Sequence, residues 1–324
     1  MLLAAVVAAA TCSLVLCVTV PALRRYAVLD HPGERSSHAV PTPRGGGIGV
    51  AAGIVAGASA AGVSTSVLLC LAAVLVAGGI GLVEDVRGVP IRWRLCAHAA
   101  AGTLVVGAAR DGRDGAGWVV LGAVLVTLVV AIVNAVNFMD GINGISGVTG
   151  TAAGVAFALS GQESGAQAVV ALGAATAAAS LAFLPWNVPR ARVFLGDVGS
   201  YALGAALAGC LVLSLAAGVP PEAALAPVSL YLLDTGNVLL RRWRAGERLG
   251  APHRQHAYQR LVDSGLSHTR VSALVLLCTA VVTVLAWVGQ RGGLPLRVAA
   301  DGLALAVLLA YLAAPARRRD RVTP

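Results

Sequence analysis

The chain has 324 residues, of which 57% are hydrophobic and 12% are charged, and its mean hydropathy is +0.81. A soluble protein of this length needs more polar side chains to cover its surface, so the composition excludes that class. The short alternating segments of a membrane β-barrel are not seen either. The net charge of +9 comes from arginine, with no lysine, and the arginines flank apolar runs, which indicates contact with a lipid bilayer rather than with nucleic acid.

Apolar runs of roughly 18–20 residues, the length of a helix that crosses the hydrocarbon core, recur along the chain. In chain order they predict eleven spans, at about 1–20, 46–63, 66–83, 95–109, 118–137, 144–160, 165–184, 200–218, 221–240, 271–289 and 295–313. We therefore expect an all-α polytopic membrane protein with about 10–11 transmembrane helices and a single domain over residues 1–324.

The arginines predict the orientation of these spans. If the loops alternate across the membrane, 20 of the 24 arginines fall on one side and 4 on the other. Because arginine is enriched in cytoplasmic loops, this split predicts an N-terminus outside and a C-terminus inside. The polar clusters that follow then all lie on the cytoplasmic side, and we expect an active site formed by those loops.

The first polar cluster is the loop at 30–49. It contains His38 and Arg44, and a glycine run follows at the start of the second span. Backbone N–H groups at a helix N-terminus bind phosphate well, and a neighbouring arginine adds positive charge. The alternative is an ordinary arginine-rich inner loop.

The second cluster is a pair of adjacent carboxylates, Glu84 and Asp85, at the inner end of the third span. Neighbouring like charges raise each other's pKa unless a cation intervenes. Such a pair can act as a base for a phosphate or hydroxyl group, or it can bind Mg²⁺. The alternative is a solvated pair neutralised by Arg87.

The third cluster, at 134–147, is the one around which the others are organised. It places the amides of Asn134 and Asn137 and the carboxylate of Asp140 at a membrane boundary, where polar groups are costly unless they have a function. Carboxylate and amide oxygens can bind Mg²⁺ or a nucleotide, and the glycines between them let the backbone approach closely. The alternative is a helix C-cap with polar contacts between helices.

The fourth cluster is the segment 194–200. It places Asp197 between glycines ahead of a helix start, which suits a site for a metal ion and a diphosphate. Phe194 offers an aromatic face on which a base can stack. The alternative is a helix N-cap at Asp197 or Ser200.

The fifth cluster is the longest polar loop, at 241–270. Its Arg254 and His256, opposite the carboxylates, indicate a clamp for a diphosphate, with contact to anionic lipid as the alternative. Asp234 lies earlier, inside the ninth span. A functional role and simple pairing with a neighbouring basic group remain equally open for it.

The order of these motifs resembles that of the polyprenyl-phosphate N-acetylhexosamine-1-phosphate transferase family. Five elements carry the resemblance: PTPRGGG at 41–47, the acidic pair at 84–85, NxxNFMDGxxG at 134–144, FLGDVGS at 194–200 and the Arg/His loop at 253–260. Each is moderately specific by itself, and all five occur in the family's order.

The resemblance implies transfer of N-acetylhexosamine-1-phosphate from a UDP-sugar to undecaprenyl or decaprenyl phosphate, with release of UMP. It implies a need for Mg²⁺, with Mn²⁺ as the alternative ion, and a place in the bacterial cytoplasmic membrane, where this reaction begins the assembly of cell-envelope polysaccharides. A homodimer is one option for the assembly. The donor stays open among UDP-GlcNAc, UDP-FucNAc and UDP-QuiNAc.

The resemblance also implies residue roles. Asp197 would bind the metal ion, and Phe194 would stack on the uracil. Glu84 and Asp85 would face the lipid phosphate, with one of them acting as the base. Asp140 would be both catalytic and a metal ligand, and the other positions expected to contact substrate are Arg44, His38, Asn134, Asn137, Arg254 and His256.

Three motifs depart from the family's pattern. Glu84 stands where the first carboxylate is usually Asp, and Asn143 replaces the second carboxylate of DGxDG. The HxHH motif retains only His256, which favours the branch that starts O-antigen or other surface polysaccharides over the peptidoglycan translocase. An inactive paralogue that serves as a scaffold is one alternative. A transporter is another, although the acids cluster at one face and no internal repeat is seen.

Overall fold

A computed structural model describes residues 1–26, 29–30, 40–110, 112–248, 250–251 and 253–322, except for the side chains of 30 and 317–322. This part of the chain contains twelve helices and one two-stranded ribbon. In chain order the elements are α1 (Leu2–Arg25), β1 (Leu29–Asp30), β2 (Thr42–Pro43), α2 (Gly47–Ala60), α3 (Thr65–Arg87), α4 (Ile91–Ala108), α5 (Ala116–Met139), α6 (Ile145–Ser164), α7 (Gln167–Asn187), α8 (Gly196–Ala216), α9 (Pro221–Arg244), α10 (Ala257–Asp263), α11 (His268–Gly289) and α12 (Leu294–Val322).

Each of the eleven predicted spans overlaps one helix, and the all-α polytopic membrane fold is confirmed. Eight of the described helices are long and apolar enough to cross a bilayer. The other three that match predicted spans are α2, α4 and α6, and their crossing stays a prediction. The segment 241–270, expected to be a loop throughout, also contains the short helix α10.

The helix α8 lies at the centre of the bundle. Every residue from Gly196 to Ser214 is buried, and α2, α3, α5 and α7 all pack against it. Its sequence is rich in glycine and alanine, which let neighbouring backbones approach closely inside a membrane. Because α8 begins at Gly196, the FLGDVGS motif stands at the end of the central helix, where surrounding helices can reach it.

Two glycines bring neighbouring helices into backbone contact with the first turn of α8. A Cβ atom on Gly47 of α2 would overlap the backbone of Gly199, and one on Gly81 of α3 would overlap the carbonyl group of Asp197. No side chain larger than hydrogen fits at either position. The glycine run of the first polar loop therefore serves helix packing as well as any contact with phosphate.

We expect Gly47→Ala to lower the thermal stability of the detergent-purified protein, because the added methyl group forces α2 away from α8. Overpacking of this kind costs about 1–3 kcal/mol. Gly79→Ala in α3 is the matched control, since its Cβ would meet no atom within 4 Å. Thermal unfolding of both variants measures the difference, and equal midpoints would contradict this close packing.

The PTPRGGG motif at 41–47 and the FLGDVGS motif at 194–200 are far apart in the sequence but lie side by side in the structure. After β2, the N–H of Gly46 donates to the carbonyl oxygen of Phe194 at 2.8 Å, and the N–H of Phe194 donates to that of Pro43, also at 2.8 Å. These bonds align the PTPRGGG segment with the FLGDVGS segment. The prediction for His38 lies outside the described residues.

Candidate active site

Arg44 joins two of the predicted acidic residues. Its Nε atom lies 2.7 Å from Oδ1 of Asp85, and its Nη2 atom lies 3.1 Å from Oδ2 of Asp197. One guanidinium group thus bridges a carboxylate at the end of α3 and a carboxylate at the start of α8. The positive charge offsets the repulsion between the two acids and holds the three motifs together.

Asp85 anchors the first turn of α8. Its side chain is 1% exposed, and it accepts hydrogen bonds from the backbone N–H groups of Asp197 at 2.9 Å and Val198 at 3.0 Å. These groups belong to the helix N-terminus, where donors lack partners within the helix. The alternative of a solvated pair neutralised by Arg87 is therefore wrong for Asp85, because this carboxylate is buried and its cationic partner is Arg44.

The N-cap alternative for the fourth cluster is also wrong. The cap position of α8 is Leu195, and neither Asp197 nor Ser200 caps the helix with its side chain. The carboxylate of Asp85 takes that role from another helix. A Cβ on Gly196, whose φ is +75°, would lie 2.6 Å from Oδ2 of Asp85, so a glycine is needed for this approach.

Glu84 faces a different set of partners from its neighbour. Its Oε1 atom accepts from Nη1 of Arg94 at 3.2 Å, and its Oε2 atom accepts from the N–H of Val89. Arg94 belongs to α4 and lines the cavity of the site, a role that the sequence analysis missed. Its only sequence signal was a basic residue at the edge of an apolar run.

The two amides of α5 lie one turn apart and make different contacts. Asn137 donates from Nδ2 to Oδ1 of Asp197 at 2.7 Å and to Oγ of Ser200 at 3.0 Å. Asn134 donates to the carbonyl oxygen of Val130 at 2.7 Å and lies 3.2 Å from Nδ1 of His98. Asn137 thus contacts the carboxylate of Asp197 directly, while Asn134 contacts neighbouring groups instead.

Asp140 occupies the C-cap position of α5, so the helix-cap alternative describes its backbone correctly. Its carboxyl group lines the same cavity as Asp197. Burial raises the pKa of Asp140 to about 7, and the negative charge of Asp197 acts in the same direction. A cation placed between these two carboxylates would favour the ionised form of Asp140.

The short helix α10 forms the opposite side of the site. The hydroxyl group of Tyr258 donates to the carbonyl oxygen of Phe138 at 3.0 Å, and a Cβ on Gly141 would overlap that hydroxyl. His256 lines the cavity, and burial lowers the pKa of its neighbour His253 to about 4. Arg254 instead pairs with Asp263 at 2.8 Å and is not among the described residues that line the cavity.

These groups surround a cavity of about 650 Å³. Seven predicted site residues line it: Arg44, Asn134, Asn137, Asp140, Phe194, Asp197 and His256. Three others that the structure describes, Glu84, Asp85 and Arg254, lie around it without lining it. Lining residues that the sequence patterns did not point to include Arg94, Asn187 and His268.

The donor atoms fit a divalent cation that is shared with a substrate. Among the described residues, no group of three or more His, Cys, Asp or Glu side chains could hold a metal ion by itself. Asp140, Asp197 and the amide oxygen of Asn137 supply hard oxygen ligands on one cavity. Mg²⁺ commonly takes one or two carboxylates and completes its shell with substrate phosphates and water, so this set is compatible with it.

The fold and the cavity together define a polytopic membrane protein whose acidic, amide and arginine groups form one site where helices end. Residues 67–215 match the family described as glycosyl transferase family 4. The chain is 31% identical to the decaprenyl-phosphate N-acetylglucosaminephosphotransferase of Mycobacterium tuberculosis, over 80% of this chain and 74% of the relative. It therefore belongs to this family, the polyprenyl-phosphate N-acetylhexosamine-1-phosphate transferases that its motifs predicted.

Two further relatives place it within the family. It is 28% identical to the probable undecaprenyl-phosphate N-acetylglucosaminyl 1-phosphate transferase of Bacillus subtilis, over 79% of this chain and 76% of that protein. It is 34% identical to the phospho-N-acetylmuramoyl-pentapeptide-transferase of Deinococcus radiodurans, but over only 40% of each chain. The longer similarity is thus to relatives named for N-acetylglucosamine, and the similarity to the pentapeptide transferase is shorter, in line with the preference against the peptidoglycan translocase that the HxHH motif indicated.

Proposed function

We propose that this protein transfers N-acetylhexosamine-1-phosphate from a UDP-sugar to a polyprenyl phosphate in the bacterial cytoplasmic membrane. A phosphate oxygen of the lipid attacks the phosphorus that carries the sugar. A new P–O–P linkage forms, the bond from that phosphorus to UMP breaks, and UMP leaves with the bridging oxygen. The products are UMP and a polyprenyl-diphosphate-sugar, with which the assembly of a cell-envelope polysaccharide begins.

One observation carries the proposal: the Arg44 guanidinium bridges Asp85 and Asp197 beside a cavity lined by acidic, amide and histidine side chains. Attack of one phosphate on another brings negative charges together, so the site must supply positive charge at fixed positions. Arg44 and Arg94 both line the cavity and supply it. Phe194 lies in the same cavity and offers a ring for the uracil.

Asp140, Asp197 and Asn137 would hold Mg²⁺ or Mn²⁺ through their side-chain oxygens. A bound divalent cation would supply charge neutralisation at the donor diphosphate. The chain's own groups orient this centre: Asn137 fixes the rotamer of Asp197 through its 2.7 Å hydrogen bond, and Arg44 fixes the other oxygen. Asp85, in α3, holds the start of α8 in place by accepting hydrogen bonds from its first backbone N–H groups.

The relatives from Mycobacterium tuberculosis and Bacillus subtilis, each aligned over more than three-quarters of this chain, are both named for N-acetylglucosamine, which favours that sugar as the donor. Purified protein supplied with polyprenyl phosphate, Mg²⁺ and a panel of UDP-GlcNAc, UDP-FucNAc and UDP-QuiNAc tests this directly. We expect UMP and a lipid-linked product with UDP-GlcNAc. If no UDP-sugar yields UMP, the protein is not this transferase, and the scaffold or transporter alternatives gain support.

The proposed cytoplasmic site depends on the orientation predicted from the arginines. After replacement of the six native cysteines, single cysteines at Arg87 and Arg192 should resist a membrane-impermeant thiol reagent in intact cells. Single cysteines at Asp114 and Gly292 should react. All four positions are exposed, so reactivity reports the side of the membrane. Labelling at either of the first two would overturn the orientation.

A further inference from the structure

Asp234 is a fully buried carboxylate within α9, in a helix that is apolar enough to span a membrane. A buried charge is costly unless it is paired or hydrogen-bonded, and inside a membrane it usually marks a functional group. The two arginines of α9 nearest to it in sequence, Arg241 and Arg242, have other partners. Arg241 donates to the carbonyl oxygen of Gln255 at 2.8 Å, and Arg242 pairs with Glu247 at 3.0 Å.

The partners of Asp234 come from the N-terminus of α10 and from the last helix. The backbone N–H of Ala257 donates to both carboxylate oxygens of Asp234, at 3.1 Å to Oδ1 and 3.0 Å to Oδ2. The hydroxyl group of Tyr311 in α12 donates to Oδ2 at 3.1 Å. Nδ1 of His256 lies 3.3 Å from Oδ1. Where the carboxylate accepts from all three partners, the proton of this contact lies on Nδ1 of His256.

This contact fixes how His256 meets the cavity that it lines. With Nδ1 directed at Asp234, Nε2 is the ring nitrogen that remains for a ligand. The backbone of His256 is held as well, since its N–H donates to Oε1 of Gln259 at 3.2 Å. A phosphate oxygen can accept a hydrogen bond from Nε2 only where that nitrogen carries a proton, and the carboxylate of Asp234 would balance the positive charge of such a ring.

We infer that Asp234 is a positioning residue for donor binding, which sets the tautomer and the orientation of His256 toward the diphosphate of the donor. Tyr311 supports this carboxylate and thereby ties the last helix, α12, to the site. The inference rests on the proposed function, because it takes a UDP-sugar as the donor. It explains why a carboxylate that does not border the cavity is buried beside the one retained histidine of the fifth motif.

The first test compares steady-state kinetics of the full-length protein and three variants. Asp234→Asn should raise the KM for UDP-GlcNAc and lower kcat/KM for that donor roughly 10–100-fold, the range for losing a group that orients a ligand-binding histidine. The KM for polyprenyl phosphate should stay unchanged. Tyr311→Phe should act in the same direction but less. Thr235→Val should match the wild type, because its buried hydroxyl has no hydrogen-bond partner among the described residues.

The decisive test is a double-mutant cycle of Asp234→Asn with His256→Ala. If Asp234 acts through His256, the double variant should be no worse than His256→Ala alone. Losses that multiply, or an equal loss of affinity for both substrates, would show a general structural role and overturn the inference. An active wild type with an unaffected Asp234→Asn variant would also overturn it, whereas a wild type that releases no UMP refutes the proposed function itself.

Discussion

Asp197→Asn is expected to leave a folded protein that releases UMP roughly 10²–10³-fold more slowly, the loss seen when one fixed charged or polar group is removed from a reacting centre. The carboxylate accepts from Asn137 at one oxygen and pairs with Arg44 at the other, beside Asp140. The amide keeps the shape of the side chain but removes the negative charge that a divalent cation needs. Folding should survive, since the amide oxygen of Asn can still accept a hydrogen bond from Arg44 or from Asn137.

The measurements are thermal stability, UMP release and UDP-GlcNAc binding across a Mg²⁺ titration, repeated with Mn²⁺. Asp114→Asn is the control for loss of one carboxylate, since Asp114 is exposed in the loop between α4 and α5, away from the cavity-lining residues. We expect wild-type turnover and an unchanged Mg²⁺ dependence for the control. An active Asp197→Asn enzyme with the same Mg²⁺ dependence would refute the assignment of Asp197 as a metal ligand.

Sequence patterns predicted which segments converge. Each polar cluster lies at the end of an apolar span, and the arginine distribution assigns all of these ends to the same side of the membrane. Spans that alternate in direction must bring such ends to the same face. In the structure Arg44 contacts both Asp85 and Asp197, so three of these clusters meet. The family's motif order pointed to the same clusters independently.

Side-chain direction could not be predicted in the same way. Glu84 and Asp85 are adjacent, yet one faces Arg94 and the other caps α8, because Gly81 lets the α3 backbone touch the first turn of α8. The position of α8 at the centre was equally hidden, since lipid-facing and core-facing helices have similar hydropathy in a membrane. Asp234 also needed the structure, because its partners Ala257 and Tyr311 come from segments distant in the sequence.

Asp85→Asn is expected to lower both turnover and thermal stability. Both carboxylate oxygens act as acceptors, one for the N–H of Asp197 and for Arg44, the other for the N–H of Val198. An amide offers a single acceptor oxygen, so one buried donor would face an NH₂ group. An unsatisfied buried donor costs about 1–3 kcal/mol. The start of α8 would then shift, and Asp197 would move with it.

Thermal unfolding and UMP release, measured together on Asp85→Asn and Glu84→Gln, separate an anchor from a catalytic base. Loss of a positioned base alone costs roughly 10²–10⁴ in turnover and leaves the unfolding midpoint unchanged. Loss of the anchor lowers the midpoint as well, which is the result we expect for Asp85→Asn. Glu84→Gln should be milder, because its amide oxygen can still accept from the N–H of Val89. If Asp85→Asn keeps near-normal turnover while Glu84→Gln is inactive, Glu84 is the base, and the contacts of Asp85 serve packing only.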